Sequence, residues 1–192
     1  MVVKHAVIVH GWYGSPNEKP MAWLKHELEE AGLQVDSPDM PHPDVPTIDD
    51  WINKLKSITI KPSETVLIGH SIGCQTILRY IENEKRGKFA GVVLVAPWLG
   101  LKKGSMSEKE HKIAESWEKT PINFSQIRDK SKFFELFYSV SDDFVSVDDV
   151  LKIKRELNAG AVNLGEKGHL SEDDSIFQWP EVLEVIEKKC LI

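Results

Sequence analysis

Short apolar runs alternate with longer stretches of helical period along the chain. The first three runs are continuously apolar rather than alternating, which indicates strands that are covered on both faces. Such strands are typical of a parallel sheet between two layers of helices. Five segments have the length and composition of strands: Lys4–His10, Thr65–His70, Ala90–Ala96, Phe133–Val140 and Ala161–Leu164.

The stretches between these runs place apolar residues at helical spacing. Gly32 suits a helix C-terminus, Thr47 suits an N-terminal cap, and Pro180 suits a first helical position. The strand and helix signals alternate, so the sequence predicts an α/β fold: a three-layer, doubly wound, mostly parallel sheet. The predicted helices are Glu18–Gly32, Thr47–Ile58, Ile72–Lys85, Val147–Asn158 and Pro180–Lys189.

Two segments interrupt this alternation. Ser37–Pro46 contains four prolines, which predicts an extended loop. Pro97–Ser125 is a long insertion rich in Lys, Glu and Ser, and long insertions in compact domains are often lids or binding loops. We therefore expect one domain, 1–192, with 97–125 as a lid-like insertion. The insertion's scattered apolar residues are Trp98, Leu99, Leu101, Ile113 and Trp117.

Composition narrows the function classes. The net charge of −6, without a basic stripe, argues against nucleic acid and anionic membranes as partners. No apolar run approaches the roughly 20 residues of a membrane helix, and the N-terminus lacks the features of a signal peptide. We therefore expect a cytoplasmic protein in which Cys74 and Cys190 are reduced thiols. No phosphate-binding glycine motif or metal-ligand spacing is present, so we expect no cofactor and no metal. The sequence leaves any protein partner unknown.

The strongest chemical signal is Gly69-His70-Ser71-Ile72-Gly73, which has the form of a nucleophile elbow. A predicted strand precedes it and a predicted helix follows it, as this motif requires. The sharp turn would raise the Ser71 hydroxyl above the sheet, at the N-terminus of a helix whose dipole and free N–H groups favour negative charge. Ser71 is therefore the candidate nucleophile.

A nucleophilic serine needs a base, and in this kind of fold the chain order is serine, acid, histidine. Only His111 and His169 follow Ser71. His111 lies in the Lys/Glu-rich insertion, where a solvated surface role fits its surroundings. His169 follows the last predicted strand, on the same edge of the sheet as Ser71, and is the candidate base.

The third member of a triad should follow the penultimate strand. Ser141-Asp142-Asp143 stands at that point, and either carboxylate could orient His169 and stabilise its charged form. Asp142 comes first after the strand and is the preferred acid. Asp143 stays open as the alternative on these grounds.

Acyl transfer also needs donors for the oxyanion. The candidate donors are the backbone N–H groups of Ile72, after the nucleophile, and of Trp12, in the loop after the first strand. His10 is expected to be a buried residue that holds this loop. Trp12 and Tyr13, together with Trp98 from the insertion, are the candidate substrate-binding walls.

These motifs resemble those of the small serine hydrolases grouped with retinoblastoma-binding protein 9, over essentially the whole chain. The resemblance implies that the catalytic serine, aspartate and histidine are Ser71, Asp142 and His169, because Phe137–Asp142 aligns without gaps when Asp142 takes the acid position. The Leu-x-Cys-x-Glu motif for binding retinoblastoma protein is absent, so that partner is not implied. The resemblance rests on His10-Gly11-Trp12, the elbow, Val92-Val93-Leu94-Val95, the Asp142 loop, Gly168-His169 and Trp179-Pro180-Glu181-Val182.

Together these features predict a carboxylesterase-like serine hydrolase that acts on a small-molecule acyl substrate. The expected reaction is cleavage of a small, partly apolar carboxylic ester, thioester or amide through an acyl-enzyme. The alternative is a non-catalytic protein-interaction module on a hydrolase scaffold, since a fold does not fix a function. The triad discriminates between them, because a binding module has no reason to keep all three members.

Overall fold

Six parallel strands form one sheet in the computed structural model, which describes residues 3–191. The strands are β1 (His5–Val9), β2 (Gln34–Asp36), β3 (Thr65–His70), β4 (Gly91–Val95), β5 (Phe134–Tyr138) and β6 (Gly160–Asn163). Their order across the sheet is β2-β1-β3-β4-β5-β6, and each neighbouring pair is parallel.

Helices cover both faces of this sheet. They are α1 (Lys19–Glu30), α2 (Ile48–Lys56), α3 (Ile72–Glu82), α4 (Glu108–Lys119), α5 (Phe124–Ile127), α6 (Val147–Leu157) and α7 (Pro180–Ile186). Short 3-10 turns occur at Pro62–Glu64 and Glu172–Asp174, and a π-helical turn at Glu187–Leu191 follows α7. None of the helices within residues 3–191 has both the length and the apolar character that a bilayer crossing requires.

The two faces of each central strand belong to different hydrophobic cores. In β1, Val7 and Val9 pack with residues of α2, α3 and α6, whereas Ala6 and Ile8 pack with residues of α1 and α7. Side chains alternate across a strand, so a strand that is buried on both faces has to be apolar at every position. The predicted three-layer α/β fold is confirmed.

The sequence prediction missed one strand and two helices. β2 is a three-residue edge strand with the sequence Gln-Val-Asp, so it carries no apolar run to reveal it. Helix α4 lies inside the insertion and begins with a capping box in which Ser107 and Glu110 satisfy each other's backbone N–H groups. Only Ala114 and Trp117 of α4 are buried, and two apolar positions are too few to show a helical period in the sequence. A lid role for 97–125 stays a prediction.

The strand order creates a crevice beside β1. Strand β1 pairs with β2 on one side and with β3 on the other, so the connections that leave β1 and β3 diverge. Ligands of open α/β sheets bind at such a switch point, outside the carboxyl ends of the strands. The loop after β1 and the Ser71 turn after β3 both lie there.

The proline-rich segment 37–46 is a loop, as predicted, and its carbonyl groups tie it to the rest of the molecule. Proline lacks an N–H donor but keeps its carbonyl acceptor. Three tryptophan side chains donate to carbonyl groups of this segment, two of them on prolines: Trp12 Nε1 donates to Asp44 O (3.1 Å), Trp51 Nε1 to Pro41 O (2.8 Å) and Trp117 Nε1 to Pro46 O (3.1 Å). The segment therefore joins the loop after β1, helix α2 and the insertion.

Candidate active site

Ser71 occupies a strained turn between β3 and α3. Its φ and ψ of 53° and −119° lie where residues with a side chain are uncommon. A Cβ on Gly73 would lie 2.4 Å from the Val9 carbonyl oxygen, and a Cβ on Gly69 would lie 2.8 Å from the backbone nitrogen of Cys74. Gly73 therefore lets the start of α3 pack directly against the end of β1, and Gly69 lets it fold back closely on the end of β3.

Two backbone N–H groups near Ser71 have no acceptor within residues 3–191. Ile72 is the first residue of α3, where an N–H group has no intrahelical partner. Trp12 lies between Gly11 and Tyr13, and the Tyr13 N–H is already used by the Pro43 carbonyl at 2.8 Å. Ile72 and Trp12, the predicted oxyanion donors, thus carry unused N–H groups at the start of α3 and on the loop after β1.

His169 and Asp142 are in direct contact. The Nδ1–H of His169 donates to Asp142 Oδ2 at 2.8 Å. The other oxygen, Oδ1, accepts from the N–H groups of Phe144 (2.8 Å) and Val145 (2.9 Å), which fixes the carboxylate plane. Asp142 is only 3% exposed, whereas Asp143 is exposed, and it is Asp142 that contacts His169.

The environment of Asp142 keeps this carboxyl ionised. Burial alone would raise its pKa, but the hydrogen bond from His169, the charge of that ring and the two backbone N–H groups together lower the pKa below its ordinary value. An ionised carboxylate can accept the Nδ1 proton and stabilise a positive charge on the ring. With Nδ1 occupied in this way, Nε2 of His169 is the nitrogen that can accept a proton.

The insertion makes hydrogen bonds to the loop that carries Asp142. Its residue Lys102 donates twice, from the backbone N–H to Phe144 O (2.9 Å) and from Nζ to Asp142 O (2.5 Å). Leu101 forms an isolated antiparallel bridge with Val145. The first part of the insertion is therefore attached to the loop that carries Asp142.

Ser71 and His169 line one cavity of about 210 Å³. Its apolar wall contains the three predicted substrate-binding residues together with others that the sequence did not single out: Trp12, Tyr13, Trp98, Leu101, Met106 and Phe144. Three carboxylates, Glu18, Asp173 and Asp174, line another part of the wall. This acidic part was not predicted, because in the sequence Glu18 and Asp173 look like ordinary charges at the starts of helical turns.

Two aromatic residues of the insertion have different surroundings. Trp98 is buried and lines the cavity. Trp117 lies outside the cavity lining and packs edge-on against Trp51, with ring centroids 6.1 Å apart. His111, the histidine set aside in the sequence analysis, lies in α4 and does not line the cavity.

His10 holds the loop after β1, as expected. Its Nδ1–H donates to Gly11 O at 2.8 Å, and its Nε2 accepts from the Met40 N–H at 3.0 Å. Because Nε2 accepts, the ring is neutral, and burial lowers the pKa of His10, in agreement with that state. His10 therefore joins the candidate oxyanion loop to the proline-rich segment.

Comparison with known proteins identifies the class of protein. The structural neighbours are α/β hydrolases, and a match to the serine hydrolase family covers residues 6–188. The chain belongs to the serine hydrolase family. YdeN of Bacillus subtilis (strain 168) is 27% identical over 187 residues, which cover 96% of this chain and 95% of YdeN. The serine hydrolase RBBP9 of Rattus norvegicus is 23% identical over 169 residues, covering 88% of this chain and 82% of RBBP9, and it confirms the predicted resemblance.

Solved structures agree with this assignment. The crystal structure of the B. subtilis ydeN gene product has a TM-score of 0.87 and 25% identity, over 97% of this chain and 98% of that one. Est1E from Butyrivibrio proteoclasticus with ferulic acid bound has a TM-score of 0.74 at 14% identity, over 99% and 89% of the two chains. The second similarity shows the fold alone.

Ionisation of Glu18, in the cavity wall, makes the stability of the folded protein depend on pH. Burial, followed by the charges of Asp173 and Glu172, raises the pKa of this carboxyl from 4.5 to about 7, although His169 opposes the shift. Ionisation of Glu18 therefore lowers the free energy of unfolding. This loss is absent at low pH, grows as the pH rises from 4.5 to about 7, and is complete above about pH 7.

We predict that Glu18→Gln raises the Tm more at pH 8 than at pH 5. The substitution removes an ionisation cost that is nearly complete at pH 8, and the difference should amount to several degrees for a chain of this size. Thermal melts at both pH values measure it, with Glu30→Gln at the exposed far end of α1 as the control. An equal change in Tm at the two pH values would contradict the prediction.

Proposed function

We propose that this protein hydrolyses a small, partly apolar carboxylic ester by transferring the acyl group to Ser71. One observation carries the proposal. Ser71, on its strained turn at a helix N-terminus, shares a cavity of about 210 Å³ with His169, whose Nδ1 is bonded to the buried carboxylate of Asp142. Membership of the serine hydrolase family supports the reaction class.

In the first half-reaction, Ser71 Oγ attacks the carbonyl carbon of the ester. Nε2 of His169 takes the hydroxyl proton, and Asp142 stabilises the imidazolium that forms. The carbonyl oxygen becomes an oxyanion, for which the N–H groups of Ile72 and Trp12 are the available donors. The bond to the leaving oxygen then breaks, His169 gives its proton to that oxygen, and an alcohol leaves.

In the second half-reaction, water replaces the alcohol. His169 removes a proton from the water as it attacks the carbonyl carbon of the acyl-serine, and the same two N–H groups hold the oxyanion. The bond to Ser71 Oγ breaks, and Oγ recovers the proton from His169. The carboxylic acid leaves, so the enzyme ends each cycle unchanged and needs no external redox or group-transfer partner.

The cavity wall indicates which esters would fit. The apolar part around Trp98, Leu101 and Phe144 suits a small hydrocarbon or aromatic acyl group. The carboxylates of Glu18, Asp173 and Asp174 would repel an anionic group. A compact, uncharged ester therefore suits the cavity better than an ester with an acidic substituent.

We predict that a fluorophosphonate probe labels the native protein but not Ser71→Ala. The probe reacts only with an activated serine, and the elbow together with His169 would provide that activation. In-gel fluorescence with mass spectrometry of the labelled peptide is the measurement. Ser57→Ala, at an exposed serine, is the matched control and should label like the native protein. Absence of labelling of the native protein would favour the non-catalytic interaction module.

We predict that Asp142→Asn lowers kcat by orders of magnitude, on the order of 10⁴ in the best-studied triad. The amide would lose the charge that stabilises the imidazolium and would favour the wrong tautomer of His169. Asp143→Asn is the matched control, because Asp143 is exposed and adjacent, and it should change kcat little. Ester hydrolysis at saturating substrate distinguishes the two, and the reverse ranking would move the acid role to Asp143.

We predict that Trp98→Ala and Trp117→Ala have different effects. Trp98→Ala should change the ratio of kcat/KM between short and long p-nitrophenyl esters, because one methylene contact is worth about 1–3 kcal/mol. Both variants should lower the free energy of unfolding by about 3–5 kcal/mol, since Trp98 and Trp117 belong to the same core, whereas Trp117→Ala should leave the chain-length ratio unchanged because Trp117 does not line the cavity. Kinetics and urea unfolding measure the two effects. An unchanged chain-length ratio in a folded Trp98→Ala variant would remove Trp98 from the pocket.

A further inference from the structure

We propose that His70, the residue before the candidate nucleophile, is a positioning residue that holds the backbone of His169 in place for proton transfer. The catalytic consequence rests on the proposed function. His70 ends β3 and is buried, being only 4% exposed. Its Nε2 lies 2.9 Å from the backbone carbonyl oxygen of His169, 99 residues further along the chain.

The backbone around His169 needs external support. Gly168 and Leu170 on either side of it have φ of 57° and 59°. The left-handed conformation is costly for a residue with a side chain, and it persists only where its surroundings enforce it. Leu170 is such a residue, and within the loop its N–H makes only a long turn hydrogen bond to Lys167 O, at 3.3 Å. Contacts from outside the loop add to this bond in holding the conformation that presents the His169 ring.

Two buried side chains supply these contacts on consecutive carbonyl groups. His70 Nε2 donates to His169 O, and Trp179 Nε1 donates to Leu170 O at 3.0 Å. The rings of these two residues also pack together, with centroids 5.6 Å apart, and the His70 ring lies 5.0 Å from the His169 ring. The orientation of His169 is thus fixed at its ring by Asp142 and at its backbone by His70.

The tautomer of His70 follows from this contact. A carbonyl oxygen can only accept, so the proton of the neutral ring is on Nε2, and Nδ1 is unprotonated with a free lone pair. Nδ1 is buried and has no hydrogen-bond partner in the part of the chain that the structure describes. The loop after β1 packs closely against this nitrogen: a Cβ added at Gly11 would lie only 2.9 Å from it.

A proton added at Nδ1 would therefore be buried without an acceptor. Burial, and then the charge of His169, lower the pKa of His70 to about 3, although its bond to the His169 carbonyl and the charges of Asp142 and Asp174 oppose the shift. His70 thus stays neutral and remains an Nε2–H donor throughout the working pH range. It also does not compete with His169 for the proton taken from Ser71.

Three substitutions separate this hydrogen bond from simple packing. Glutamine carries its amide nitrogen the same number of bonds from Cα as Nε2 of histidine, so His70→Gln can keep the donor. His70→Asn is one bond shorter and cannot reach the His169 carbonyl, although its chemistry matches. His70→Phe keeps a ring against Trp179 but has no donor.

We expect His70→Asn and His70→Phe to lower kcat for ester hydrolysis by about 10–100-fold with KM little changed, because a misplacement of about 1 Å can cost on the order of 10²-fold. His70→Gln should recover most of the loss. The low-field proton resonance of the His169 Nδ1–H should stay sharp in the wild type and in His70→Gln, and should shift or broaden in the other two variants. If His70→Phe does not fold, the Gln and Asn pair makes the same comparison.

Equal kcat values and equal resonances for His70→Gln and His70→Asn would overturn the proposal, as would wild-type kcat in His70→Phe. The resonance keeps this test separate from the proposed function. If the wild type neither hydrolyses esters nor reacts with a fluorophosphonate, the proposed function fails. In that case the effect of the three variants on the His169 resonance still decides whether His70 holds the His169 backbone.

Discussion

The close contact between the N-terminus of α3 and the end of β1 determines the geometry of the whole site. At Gly73 the two backbones are so near that a Cβ would lie 2.4 Å from Val9 O and 2.7 Å from His10 O. This contact places the loop after β1 opposite the start of α3. The unused N–H groups of Trp12 and Ile72 therefore lie at the same crevice as a consequence of backbone packing. Gly73 is needed because any side chain would separate the two elements.

The segments outside the regular α/β pattern then hold this arrangement in place. The proline-rich segment accepts hydrogen bonds from three indoles and donates one, through the Met40 N–H, to His10. On the other side the insertion is the donor, because Lys102 donates to the carbonyls of Asp142 and Phe144. Carbonyl groups of irregular backbone must find donors when they are buried. Here the partners are the proline-rich segment, the insertion, α2, the loop after β1 and the Asp142 loop. These hydrogen bonds therefore connect the irregular segments to the loops that carry the candidate site.

The sequence revealed most of what depends on local chemistry and little of what depends on distant contacts. Continuous apolar runs predicted the layers, and the elbow motif predicted the Ser71 turn, because both are encoded in neighbouring residues. The choice between Asp142 and Asp143 depended on which carboxylate turns inward, and a two-residue sequence does not record that direction. The acidic wall at Glu18 and Asp173 was invisible for the same reason, because these residues meet only after folding. Edge strand β2 was missed because a short polar edge strand needs no apolar pattern.

Three histidines around the crevice show how backbone contacts can separate chemically identical side chains. His10 and His70 end or follow adjacent strands, and each binds a backbone carbonyl through one ring nitrogen. Burial lowers the pKa of both rings, so both stay neutral and hold backbone segments through their hydrogen bonds. Among the three, His169 is the one whose ring is hydrogen-bonded to a carboxylate, that of Asp142. Asp39 lies 3.9 Å from Nε2 of His10 without a hydrogen bond, so direct carboxylate support for a positive charge is found at His169 among these three rings. Under the proposed function, this difference would direct the Ser71 proton to His169.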